Sequence, residues 1–161
     1  MKTGVLNKAN GDEYAGDFVK DLYSGYSLYK YANGDIYCGD FLDGKKDGDG
    51  VLKIKSTGMD FAGRFINDEL IGGQCRSIDG TYTGPFAPKT HAYQGRGLMV
   101  FKSGDKYEGK WHDGLMHGHG TFVYADIFED DSEESEEEKE KDKEDPKQKI
   151  QSMFVGEFVR G

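Results

Sequence analysis

Apolar side chains fall in pairs two residues apart: Tyr29 and Tyr31, Leu52 and Ile54, Met99 and Phe101, Phe122 and Tyr124. Period two is the spacing of a β-strand, where alternate side chains share one face. Between these pairs lies a second pattern, aromatic-x-Gly-x-aromatic. It occurs as Tyr14-Gly16-Phe18, Tyr37-Gly39-Phe41, Phe61-Gly63-Phe65, Tyr82-Gly84-Phe86, Tyr107-Gly109-Trp111 and Phe154-Gly156-Phe158. The first five starts are 23, 24, 21 and 25 residues apart, a period typical of stacked supersecondary units.

A further glycine follows the opening aromatic by eleven residues, as Gly25, Gly48, Gly72 and Gly118, with Gly95 displaced by two in the fourth unit. Short segments such as Asn33-Gly34-Asp35, Thr57-Gly58, Asp79-Gly80 and Ser103-Gly104-Asp105 separate the strands and carry turn chemistry. The pattern predicts an all-β chain: an elongated single-sheet array of consecutive antiparallel hairpins, each pairing a Gly-centred aromatic strand with an alternating returning strand. In the third unit Arg76 interrupts the alternation. Glycine in mid-strand is costly, and its recurrence is explained by an aromatic ring packed over bare backbone. The eighteen motif residues are therefore expected to form the structural core. A linear array of this kind needs no large globular interior.

Composition adds one distinct segment. The formal charge is -9, and residues 129–145 alone carry 12 acids against 3 lysines. The rest is formally neutral. The expected organisation is a hairpin array over 1–126, an acidic low-complexity insertion over 127–152, disordered or helical, and a final strand over 153–161 that completes the array. Ser135, followed by three glutamates, fits an acidophilic kinase site. A basic stripe is missing, which argues against nucleic acid. The sequence offers no signal peptide or membrane span. Cys38 and Cys75 have no metal or redox spacing, which fits a reducing, cytoplasmic setting.

Once these features are aligned, the chain resembles MORN-repeat proteins, whose unit reads Tyr-x-Gly-x-Trp and then Gly-Lys-x-His-Gly-x-Gly. The fifth unit is nearest, with Tyr107, Gly109, Trp111, Gly114, His117, Gly118 and Gly120; the second carries Gly44-Lys45 and Gly48-Asp49-Gly50. The third unit departs at Gln74, and the fourth carries an expanded loop over 87–93. The resemblance implies a tethering or scaffolding role at cytoskeletal or ciliary structures or near membranes. Some relatives carry kinase or methyltransferase domains.

No catalytic constellation assembles from the residues. His117 and His119 flank Gly118 but lack a third ligand, and His117 occupies the repeat's own histidine position. The Gly-x-Gly pairs never extend into a phosphate loop, and no serine has an elbow or base. The expected protein is not an enzyme and takes no cofactor or metal. It is expected to bind partner proteins, with self-association through the outer strands as a further route. Tyr29, Tyr31, Met99, Phe101, Phe122 and Tyr124 are the candidate contact residues, since aromatic and Met anchors dominate such interfaces. The alternatives are a phosphoinositide-binding module, using Lys45, Lys46, Arg96, Lys102, Lys106 and Lys110, or a regulatory subunit of a separate enzyme. The neutral array and acidic insertion argue against the membrane alternative.

Overall fold

The computed structural model describes residues 2–125 and 152–159; Ser135 and nearly all of the acidic insertion lie outside them. Twelve strands form one open sheet: β1 (Lys2–Asn7), β2 (Glu13–Val19), β3 (Leu22–Lys30), β4 (Ile36–Leu42), β5 (Lys45–Ile54) and β6 (Met59–Ile66), followed by β7 (Glu69–Arg76), β8 (Gly80–Pro85), β9 (Gly95–Phe101), β10 (Lys106–His112), β11 (Leu115–Val123) and β12 (Met153–Phe158). Spatial order equals chain order, and every neighbouring pair is antiparallel. Among the described residues there is no helix.

Two kinds of turn alternate. The motif strand meets its returning strand through two residues, both in the left-handed region: Lys20 and Asp21, Asp43 and Gly44, Asn67 and Asp68, Asp113 and Gly114. This is the type I′ geometry that suits strand twist. The Gly-bearing segments singled out in the sequence instead lie at the opposite ends of the strands and link one hairpin to the next.

Register explains the glycines. Leu6, Tyr14, Tyr29, Tyr37, Leu52, Phe61, Cys75, Tyr82, Met99, Tyr107, Phe122 and Phe154 stand directly opposite one another across all twelve strands. A parallel row two residues away on the same face is mostly glycine, as in Gly39, Gly50, Gly63 and Gly73. The rings of Tyr14, Tyr37, Tyr82 and Tyr107 lie down across this trough. A Cβ on Gly50 would sit 2.6 Å from the Tyr37 ring, and one on Gly39 would sit 2.5 Å from the Gly50 Cα. The phenol then donates to the carbonyl three residues on: Tyr14 to Asp17 at 2.7 Å, Tyr37 to Asp40 at 3.0 Å, Tyr82 to Pro85 at 3.0 Å and Tyr107 to Lys110 at 3.1 Å. Second motif aromatics close the trough edge-on, with Tyr37 and Phe41 centroids 5.2 Å apart and Tyr107 and Trp111 likewise 5.2 Å apart.

Bulges adjust the returning strands. In the first, second and fifth units two extra residues lie opposite the motif strand, accommodated by Gly25, Gly48 and Gly118 at positive φ. The third unit inserts one residue instead of two between Gly72 and Leu70. Its phase therefore slips by one, so Cys75 enters the ring row and Arg76 faces the other side opposite Asp60. The alternation expected to fail at Arg76 is intact, and Gly73 fills the trough position assigned in the sequence to Gln74. In the fourth unit the loop over 86–94 replaces the tight turn, pinned by a bridge between Phe86 and Tyr93.

Candidate partner-binding faces

The ring face is built from the trough upward. Nine residues after the opening aromatic, the returning strand supplies a lid: Tyr23, Lys46, Leu70 and Met116, with Tyr93 eleven residues after Tyr82. Tyr23 stacks on Tyr14 at 3.9 Å and Tyr93 on Tyr82 at 4.0 Å. Burial pushes the Tyr82 and Tyr93 phenols up to about 12 and raises Tyr37 further. These lids are hidden in the sequence because their identities vary; only their period gives them away.

Lys46 is the cationic lid. Its ammonium lies 5.7 Å from the Tyr31 ring, 5.6 Å from Tyr37 and 5.7 Å from Phe65, and it donates to the Tyr31 hydroxyl at 3.3 Å. Burial lowers its pKa. Its side chain is thus turned into the rings. Arg96 and Lys110 project from the opposite face, and Lys102 lies in the turn after β9. The six basic residues considered for lipid binding do not gather into one patch.

The six candidate contact residues all lie on the ring face. Tyr29 and Met99 are buried in the central row, a correction to their expected role: they are packing residues that a partner could reach only by opening the core. Tyr31, Phe101 and Phe122 are half-buried against that core, and Tyr124, 48% exposed, rests on Phe122 at 4.9 Å.

Among the described residues, no second layer covers the opposite face. A second cross-sheet row runs through Val5, Ala15, Leu28, Cys38, Val51 and Ala62, then Gln74, Thr83, Leu98, Glu108, Thr121 and Val155. Val5 and Val155 are 72% and 66% exposed. Tyr26 projects beside the row, its hydroxyl 3.1 Å from the Cys38 sulfur. Cys75, in contrast, is buried under Tyr93, and burial raises its thiol pKa. Near the C-terminal end of this face, a groove of about 610 Å³ opens beside Arg96, Lys110, His117 and Val155. Among the described residues, no three His, Cys, Asp or Glu side chains are arranged to hold a metal ion.

Among the described residues, a single-layer sheet, a fixed unit, and contacts that run mainly between neighbouring strands define a linear β-hairpin repeat protein. Residues 14–36, 37–57 and 107–126 match the MORN repeat, so the chain carries three MORN repeats. The matched segments are the first, second and fifth units. The third and fourth units, which carry the shortened bulge and the long loop, fall outside them. No curated protein matches the chain. No helix among the described residues is long and apolar enough to cross a membrane.

Proposed function

We propose that the protein is a non-catalytic scaffold or adaptor whose array binds partner proteins within a larger cytoskeletal or ciliary assembly. The observation that supports this best is the uncovered face, where Val5, Leu28, Val51, Leu98 and Val155 fall in one line across the sheet. Single exposed apolar residues are ordinary, but an aligned set on a face without a second layer has the character of a binding surface. The central rings of the other face, Tyr14, Tyr37, Tyr82 and Tyr107, do not need a partner, because they are already buried against the trough.

Affinity capture followed by cross-linking mass spectrometry tests this reading. Recovered proteins should cross-link to residues flanking the apolar row, and Val51→Lys or Leu98→Lys should abolish recovery while leaving the melting temperature unchanged. Failure of both substitutions to alter capture would refute the assignment of that face. Flotation with phosphoinositide vesicles at physiological salt, in the absence of protein partners, would favour a membrane-binding module instead. Copurification of an enzyme whose activity depends on this chain would make it a regulatory subunit.

A further inference from the structure

Charge placement on the uncovered face follows one rule with one exception. Directly opposed charges on neighbouring strands are of opposite sign at Glu13 and Lys30, Asp49 and Arg64, Lys53 and Asp60, and Asp60 and Arg76. At the groove the rule breaks. Arg96 stands opposite Lys110, and Lys110 stands opposite His117. Like charges in directly opposed positions destabilise a sheet, and local conflicts of this kind concentrate at functional sites. Glu108 answers part of this charge through its contact with Arg96 at 3.6 Å.

The same place is concave. The bulge opposite Lys110 puts Gly118 at φ +60°, so no side chain fills the step between His117 and His119. Val155 supplies an apolar wall on one side. The array thus presents a guanidinium, an ammonium and two exposed imidazoles around an opening large enough for a small ligand. A guanidinium offers paired donors to tetrahedral oxyanions, and an ammonium adds a point charge.

We propose that this groove binds a phosphate monoester carried on a peptide segment of a partner protein. A dianion resolves the opposition of Arg96 and Lys110, and Val155 contacts the residue beside the phosphorylated one. A peptide fits better than a bilayer. Glu108 lines the groove and Glu157 stands opposite His119, so an anionic lipid surface laid on the cations would meet these carboxylates unfavourably. Arg96 and Lys110 lie on the face opposite the ring trough, and Trp111 also lines the groove.

The test uses the full chain and a short capped peptide containing one phosphoserine, its unphosphorylated twin, and phosphatidylcholine vesicles doped with a phosphoinositide. Calorimetry should show binding of the phosphorylated peptide alone. Arg96→Gln and Lys110→Gln should each weaken it about tenfold, the effect of one lost charge-assisted hydrogen bond, and Lys102→Gln should leave it unchanged. Without peptide, the melting temperature of Lys110→Gln should hold or rise as the cationic opposition is relieved. Equal binding of the twin peptide, indifference to both substitutions, or binding of vesicles but not of peptide would overturn the proposal.

Discussion

Each motif glycine is fixed by what lies above it. Gly39→Ala places a methyl group against the Gly50 backbone and the Tyr37 hydroxyl, and neither can move without breaking the sheet. The expected cost is about 3 kcal/mol, readable from urea midpoints. Tyr37→Phe keeps the ring but strands the Asp40 carbonyl, at about 1 kcal/mol. The ratio of these two effects separates trough filling from hydrogen bonding. Rings over glycine are legible in the sequence because both residue types recur in phase. The phenol's target is not legible, since a backbone carbonyl leaves no trace in residue identity. Nor are the lids, because Tyr23, Lys46, Leu70 and Met116 share a position and no chemistry.

At the level of turns, the aspartates of the longer connections bind the array laterally. Asp12, Asp35 and Asp105 each accept a backbone N–H twenty residues on, from Ala32, Lys55 and Ala125, at 2.8, 2.9 and 2.7 Å. Asp12 also accepts from Tyr29 at 2.7 Å. Hydrogen bonding from Tyr29 holds the Asp12 carboxyl below its ordinary value, and the Ala125 N–H does the same for Asp105. A carboxyl depressed in the folded state stabilises fully above its unfolded pKa, about 4, and ceases to as pH falls through the folded value. Melting temperature should therefore be flat near neutrality and drop in acid, and Asp105→Asn should shrink that drop.

Tight turns give an independent check at this scale. Lys20 and Asp21 occupy left-handed geometry that Asn-Gly adopts more readily, so replacing the pair should stabilise the protein by about 1 kcal/mol. The sequence located the Gly-bearing links between hairpins but passed over the tight turns within them; Lys20-Asp21 and Asn67-Asp68 carry no glycine, and their conformation is imposed by the flanking strands. It also placed Arg76 where Cys75 belongs. A one-residue change in bulge length shifts the phase of everything after it, and no single residue type reports bulge length.

Across the molecule, stability is a sum over neighbours. Each strand contacts mainly the ones before and after it, so Tyr14→Phe and Trp111→Phe, at distant rungs, should have additive free energies. Tyr37→Phe and Phe65→Leu, whose rings meet at 5.0 Å, should not. The sequence defines the array because its period sets one unit and stacking repeats it. The groove is less accessible to sequence reasoning: Arg96, Lys110 and His117 are far enough apart in the chain that only register brings them together.

Chain-order stacking also determines how this protein responds to tension. Pulled from its two ends, the sheet loads its outermost ladder one bond at a time and peels like tape, with no pair of strands sheared lengthwise. Optical-trap extension should then show a staircase of small, low-force steps, reversible on relaxation, each releasing one hairpin or less. A linker with that behaviour lengthens gradually under strain while its remaining rungs stay assembled.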